Sequence, residues 1–178
     1  LEFINYINEV CLPHAFRYDS LMDKRLYVKS VINEIYKKDI SKNKKIRKKE
    51  LFEKIQTYII NNFGATTSIE SLCEYLSSKD NSIGKDTVYN YLSILENAKI
   101  ISRCKRFDLK TKVSLQGKEK YYLSDLSFYF ANNVDTRINY GPVLENIVYN
   151  YARSKGYEVS IGKIGKLECD FILRDKNM

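Results

Sequence analysis

The chain has 178 residues, room for one large domain or two small ones, and its 44% hydrophobic content is that of a folded protein. No run approaches the roughly 18 apolar residues of a membrane helix, and residues 1–6 carry neither a basic stretch nor a small-residue cleavage site, so neither a membrane span nor a signal peptide is expected in this sequence. The net charge of +8 is uneven: residues 37–54 hold nine basic and three acidic side chains, residues 99–120 eight and two, and the remainder is acidic.

Two basic clusters on an acidic body form the charge pattern of a polyanion-binding surface; for the first cluster a solvated, lysine-rich surface explains the composition equally well. Cys11, Cys73, Cys104 and Cys169 are far apart with no C-x-x-C, and His14 is the single histidine, which leaves no zinc-ligand spacing. Free thiols in a reducing cytoplasm are the expected state. No methionine starts the chain, which points to a piece of a longer protein.

In chain order, apolar residues at 3, 4, 7 and 10 have helical spacing, and Leu12-Pro13 ends that helix. Residues 21–40 predict a longer helix with Leu26, Tyr27, Val31, Ile35 and Tyr36 as its stripe. After a polar, basic break at 41–45, residues 46–63 predict a second long helix with Leu51, Phe52, Ile55, Ile59 and Phe63 on one face, stopped by Gly64. Thr67 with Glu70 fits a capping box opening a short helix through Leu72, Tyr75 and Leu76. After a polar connection at 77–82, Gly84 serves as N-cap and Asp86 suits the first turn of a helix over 85–97, with Val88, Tyr91, Leu92 and Leu95 inward.

The period then changes. Residues 100–107 read as a strand, a polar segment with Gly117 follows, and 120–124 returns as a second strand. Helix, short helix, longer helix and basic hairpin in that order make a winged helix-turn-helix, in which the second helix of the pair enters a DNA groove and the hairpin is the wing. Beyond it, 126–131 and 143–153 predict helices, the latter with Leu144, Ile147, Val148 and Tyr151 inward, and 157–161 and 167–173 predict two strands around a turn at 162–166. A two-stranded hairpin on one helix is marginal alone, so this last unit reads as incomplete.

The glycines of Gly162-Lys163-Ile164-Gly165-Lys166 lack P-loop spacing and belong to a hairpin turn. The candidate DNA contacts are Lys85 and Thr87 at the helix start, Tyr89, Asn90 and Ser93 on its open face, and Arg103, Lys105, Arg106, Lys110, Lys112 and Lys118 along the wing. That helix holds one lysine and no arginine, and winged helices also serve as protein-interaction modules; both readings stay open. Glu145 on a helix and Asp170 in the second strand of a hairpin form the first half of a nuclease-like metal site, two carboxylates able to hold Mg²⁺. The plain alternative is a strand acid paired with a lysine and a solvated or capping glutamate.

Several stretches in order resemble the C-terminal half of a family of prokaryotic AAA-type ATP-binding proteins. They are Phe3-Ile4-Asn5-Tyr6-Ile7 with Leu12-Pro13, the run from Tyr27 to Lys38-Asp39-Ile40, and Thr87-Val88-Tyr89-Asn90-Tyr91-Leu92-Ser93-Ile94-Leu95-Glu96. Lys120-Tyr121-Tyr122-Leu123-Ser124-Asp125, Leu144-Glu145-Asn146 and Glu168-Cys169-Asp170-Phe171 complete the likeness. The resemblance implies an ATPase domain upstream, with ATP and Mg²⁺ bound there and no cofactor in this chain. It also implies a restriction-endonuclease-like fold at the C-terminus, with Glu145 and Asp170 as its first two acids and a further strand beyond Met178. Lys38 stands where the family has arginine, and Leu12-Pro13 lacks the glycines usual before it.

The expected architecture is mainly α with a small β component. Residues 1–66 form a helical region linking to the ATPase together with the first helix of the winged helix, 67–125 a winged helix-turn-helix, and 126–178 an incomplete restriction-endonuclease-like α/β segment. The expected role is duplex DNA binding in the cytoplasm, with no enzyme activity in this chain alone. The alternative is an interaction or dimerisation module that couples the ATPase to a partner. Expected partners are double-stranded DNA, the upstream domain and a second copy, and no membrane.

Overall fold

The computed structural model describes residues 7, 12–40, 46, 48–77, 82–111, 113–133, 139–164 and 167–175. Helix α1 (Leu21–Ile35) starts at Ser20, whose hydroxyl accepts from the backbone N–H of Asp23 at 3.0 Å. It buries Val28 and Ile32, leaves Leu26 exposed, and passes into a π-helical turn, Tyr36–Ile40. Helix α2 (Lys49–Asn61) buries Phe52, Ile55, Ile59 and Ile60. Gly64 follows at φ +74°, where its N–H donates to the Tyr121 carbonyl at 2.9 Å.

Strand β1 (Thr66–Thr67) leads into helix α3 (Ile69–Leu76). The cap differs from the expected capping box: Ser68, not Thr67, is the N-cap and accepts from the N–H of Ser71 at 3.0 Å, because Thr67 is held in the strand opposite Glu119. Helix α4 (Lys85–Asn97) has Gly84 as N-cap and buries Val88, Tyr91, Leu92 and Leu95, the four residues its spacing predicts. Strands β2 (Ile101–Asp108) and β3 (Val113–Leu123) form the antiparallel hairpin after it, with a bulge in β3 that contains Gly117 and Lys118, both at positive φ, opposite Lys105. Helices α5 (Ser127–Asn132) and α6 (Tyr140–Ser154) and strands β4 (Glu158–Ile164) and β5 (Leu167–Arg174) complete the chain.

The C-terminal hairpin does not form a separate appendage. β4 pairs in parallel with β2 from Arg106↔Ile161 to Asp108↔Lys163, giving one five-stranded mixed sheet in the order β1-β3-β2-β4-β5. With about 56% helix and 23% strand, the protein is α/β, which corrects the expectation of a mainly α fold with a small β component. The physical reason is edge pairing. The outer edge of β2 carries unpaired backbone groups, a two-stranded β4–β5 unit is marginal alone, and joining them satisfies both. Side chains alternate across the sheet. Ile101, Tyr121 and Leu123 join the core formed with the helices that precede the sheet, whereas Cys104, Tyr122 and Ile161 pack under α6 with Tyr149 and Ala152.

Helix α6 lies on the sheet with a different face from the one its pattern predicts. Val143, Asn146, Tyr149 and Ala152 are buried, while Leu144, Val148 and Tyr151 are 44%, 49% and 64% exposed. Asn146 sets this rotation: fully buried, it accepts from the Leu123 N–H at 2.7 Å and donates to the Leu123 carbonyl at 2.9 Å. It thereby satisfies the backbone at the end of β3. Tyr149 stacks on Tyr122 with ring centroids 4.3 Å apart.

Candidate nucleic-acid interface

Helices α3 and α4 and the β2–β3 hairpin supply the surfaces on which the candidate DNA contacts stand. At the start of α4, exposed Lys85 donates to Glu70 of α3 at 2.6 Å. That hydrogen bond holds the Glu70 carboxyl below its usual range and raises the Lys85 ammonium. Both partners are more than half exposed, so the bond is weak and exchangeable. Tyr89 is 40% exposed on the same helix. Thr87, Asn90 and Ser93 are half-buried. Thr87 and Asn90 line a cavity of about 420 Å³ with Lys48 and Leu51 of the neighbouring helix, and the Lys48 N–H donates to the Tyr91 hydroxyl at 3.3 Å. The start of α2 therefore covers one flank of α4 and leaves Lys85, Asp86 and Tyr89 as the open positions of its first half.

Along the β2–β3 hairpin the two arginines are engaged, as is Lys120, whereas three other lysines are not. Arg103 donates to Glu96 at 2.8 Å and lies 3.5 Å from Glu119. Arg106 is ion-paired with Glu168 of β5, a contact that ties the wing to the C-terminal hairpin. Lys105, Lys110 and Lys118 are exposed and make no ion pair or side-chain hydrogen bond with any described residue. Lys112 lies outside the described residues. The tip is shaped by Asp108, whose carboxylate accepts from the N–H groups of Lys110 at 2.8 Å and Thr111 at 3.3 Å and is held below its usual range by the first of these.

The candidate metal acids occupy different settings. Glu145 is ion-paired with Lys120 and accepts from the Tyr122 hydroxyl at 2.7 Å. Asp170 is exposed on β5 and bonded to no described residue. No group of three or more metal-ligating side chains occurs among the described residues. A metal at Glu145 would have to displace the Lys120 ammonium, so the residues present do not fit a metal there. In this geometry Glu145 joins α6 to β3. Sequence reasoning did not single out Lys120 as its partner, because no local spacing links a strand lysine to a helix 25 positions later. Lys99 was also missed; it stands exposed at φ +59° just beyond α4, a helix-end position where glycine is the usual signal. No described helix is long and apolar enough to cross a membrane.

Two relatives are each 26% identical to the chain. One is an uncharacterized protein of Haemophilus influenzae, matched over 151 residues and 85% of this chain. The other is the uncharacterized protein MJ1544 of Methanocaldococcus jannaschii, matched over 184 residues and 99% of this chain. The chain spans 38% and 41% of the length of these two curated relatives. No solved structure matches it. Residues 2–137, which take in the helical region, α4 and the whole wing, match a family of proteins, and the chain belongs to that family, described as Domain of unknown function (DUF8612).

Proposed function

We propose that this chain binds duplex DNA through the open side of α4 and the wing, largely without regard to sequence. The observation that carries the reading is the contrast along the wing: its arginines are engaged by carboxylates, and Lys105, Lys110 and Lys118 stand exposed with no described partner. Unpaired ammonium groups on a hairpin beside a helix-turn-helix are placed to follow a phosphate backbone. Lys85 adds a fourth cation at the N-terminus of α4, where backbone N–H groups also favour an anion; releasing Glu70 costs little at an exposed pair. Tyr89 is the one open aromatic on that helix and would meet a sugar or base edge. Sequence preference is weak on this reading because Asn90, the side chain suited to adenine, is half-buried against α2.

Replacing Lys105, Lys110 and Lys118 together by Ala should weaken binding to a fluorescein-labelled duplex by more than about tenfold near 0.1 M salt. Equal affinity of the two proteins would remove the wing from the interface. In the full-length protein this module would couple DNA to the ATPase domain that the resemblance implies.

A second reading, a coupling or dimerisation module that meets protein and no nucleic acid, is favoured by the outer face of α6. Leu144, Val148 and Tyr151 lie there at helical spacing and exposed. Sedimentation velocity separates the two readings. Self-association that Val148→Lys abolishes, with no change on adding DNA, favours the second; a monomer that sediments faster with DNA favours the first.

A further inference from the structure

Strands β2 and β4 pair only from Arg106↔Ile161 onward. Their preceding halves, 101–105 and 158–160, diverge and leave a cleft of about 440 Å³, bordered by the last turn of α4 and the C-terminal part of α6. Two carboxylates line it, Glu96 and Glu158, and each is already matched by an arginine: Arg103 at 2.8 Å and Arg174 at 2.9 Å. Three further cations line it as well. Lys99, Lys105 and Arg153 are exposed and make no ion pair or side-chain hydrogen bond with any described residue. The cleft therefore has an unbalanced positive charge. Ser102 and Ser160 add hydroxyls, and the Tyr149 hydroxyl, which burial pushes up to about 12, stays neutral beside Arg153.

Lys99 sharpens the case. It takes the left-handed conformation that ends α4, at φ +59°, where glycine would sit without strain. A lysine there accepts backbone strain and holds an ammonium group at the cleft. The C-terminal end of α4 attracts its charge but supplies no full anion.

We propose that this cleft binds a phosphate group. Lys99, Lys105 and Arg153 would surround its oxygens, and the serine hydroxyls would complete the donor set. One chemistry has two sources, a backbone phosphate of nucleic acid running past the wing or the phosphate of a free ester, and the test separates them. The site does not depend on the DNA reading, since Lys105 alone of its three cations is used in that reading and free pyrophosphate tests the site without DNA.

The variant is Lys99→Gly with Arg153→Ala. The first change relieves a strained backbone and the second is at an exposed position, so the fold is retained, as an unchanged thermal midpoint would verify. Amide NMR shifts are followed while wild type and variant are titrated with inorganic pyrophosphate. The expected result is saturable shifts at Ser102 and Ser160 in wild type, with binding at least about tenfold weaker in the variant. Labelled duplex DNA is the second arm. If the variant also loses DNA affinity and its salt slope falls by about 2, one per cation, the source is nucleic-acid backbone. If DNA binding is unchanged or absent in both proteins while pyrophosphate still distinguishes them, the source is a free phosphate ester. No shift in wild type up to about 10 mM pyrophosphate, or equal binding by both proteins, overturns the proposal.

Discussion

The Tyr122 ring stacks on Tyr149 and packs near Phe171, while its hydroxyl donates to Glu145 Oε1, the same oxygen that the Lys120 ammonium contacts. One side chain thus links β3, α6 and β5. Removing the hydroxyl with Tyr122→Phe keeps the stacking and deletes a hydrogen bond to a charged acceptor, so chemical denaturation should show a loss of about 1.5–3 kcal/mol. Burial raises the pKa of Tyr121, Tyr122 and Tyr149 above that of a free phenol, and pushes that of Cys104 up to about 12. In the unfolded chain these groups ionise near their ordinary values of 9.0 for the thiol and 10.0 for the phenols, while the folded protein keeps their protons. Stability from these groups is therefore whole below about pH 9 and falls as pH rises toward the folded values, by up to about 1.4 kcal/mol per pH unit for each group. A denaturation series from pH 8 to 11 reads this decline, which should be shallower in Tyr122→Phe. None of this was legible locally. Glu145 read as a metal ligand or a solvated acid because its partners Lys120 and Tyr122 are far from it in sequence and meet it only once β3 lies under α6.

At the scale of elements, legibility followed how local the determining contacts are. α4 was readable because its N-cap, first-turn acid and four inward residues all lie within one stretch. α6 was readable in existence but not in facing. Its apolar residues at 144, 147, 148 and 151 form the better stripe on paper, yet Asn146 occupies the buried centre because the end of β3 needs its carboxamide. A polar residue with a backbone partner outweighs an apolar stripe without one. Tyr149→Ala should then cost about 3–5 kcal/mol, as for other large aromatic truncations, whereas Val148→Lys should stay within about 0.5 kcal/mol of wild type. Thermal and urea melts of the two variants check this; equal losses would mean that α6 packs with the face its pattern suggested.

At the scale of the molecule, the β2–β3 hairpin and the C-terminal hairpin share one sheet through the parallel β2–β4 pairing. That pairing joins residues more than 50 positions apart and has no signal in local periodicity, which is why the chain read as mainly α with an appended fragment. It also changes what the wing is. The hairpin is braced along one edge by β4 and tied by Arg106 to Glu168, so its lysines stand on a supported strand pair. The basic cluster at 99–120 was visible in the sequence, but its division into engaged side chains, Arg103, Arg106 and Lys120, and open lysines was not, since that depends on where Glu96, Glu119, Glu145 and Glu168 fall. Lys85, Lys105, Lys110 and Lys118 together would displace about four counterions from a duplex. The most direct test is the affinity of the wild-type chain for a labelled duplex measured between 50 and 300 mM salt: the binding constant should fall on a log–log plot with a slope of about −3 to −4, and a slope near zero, or no binding at the lowest salt, would contradict it.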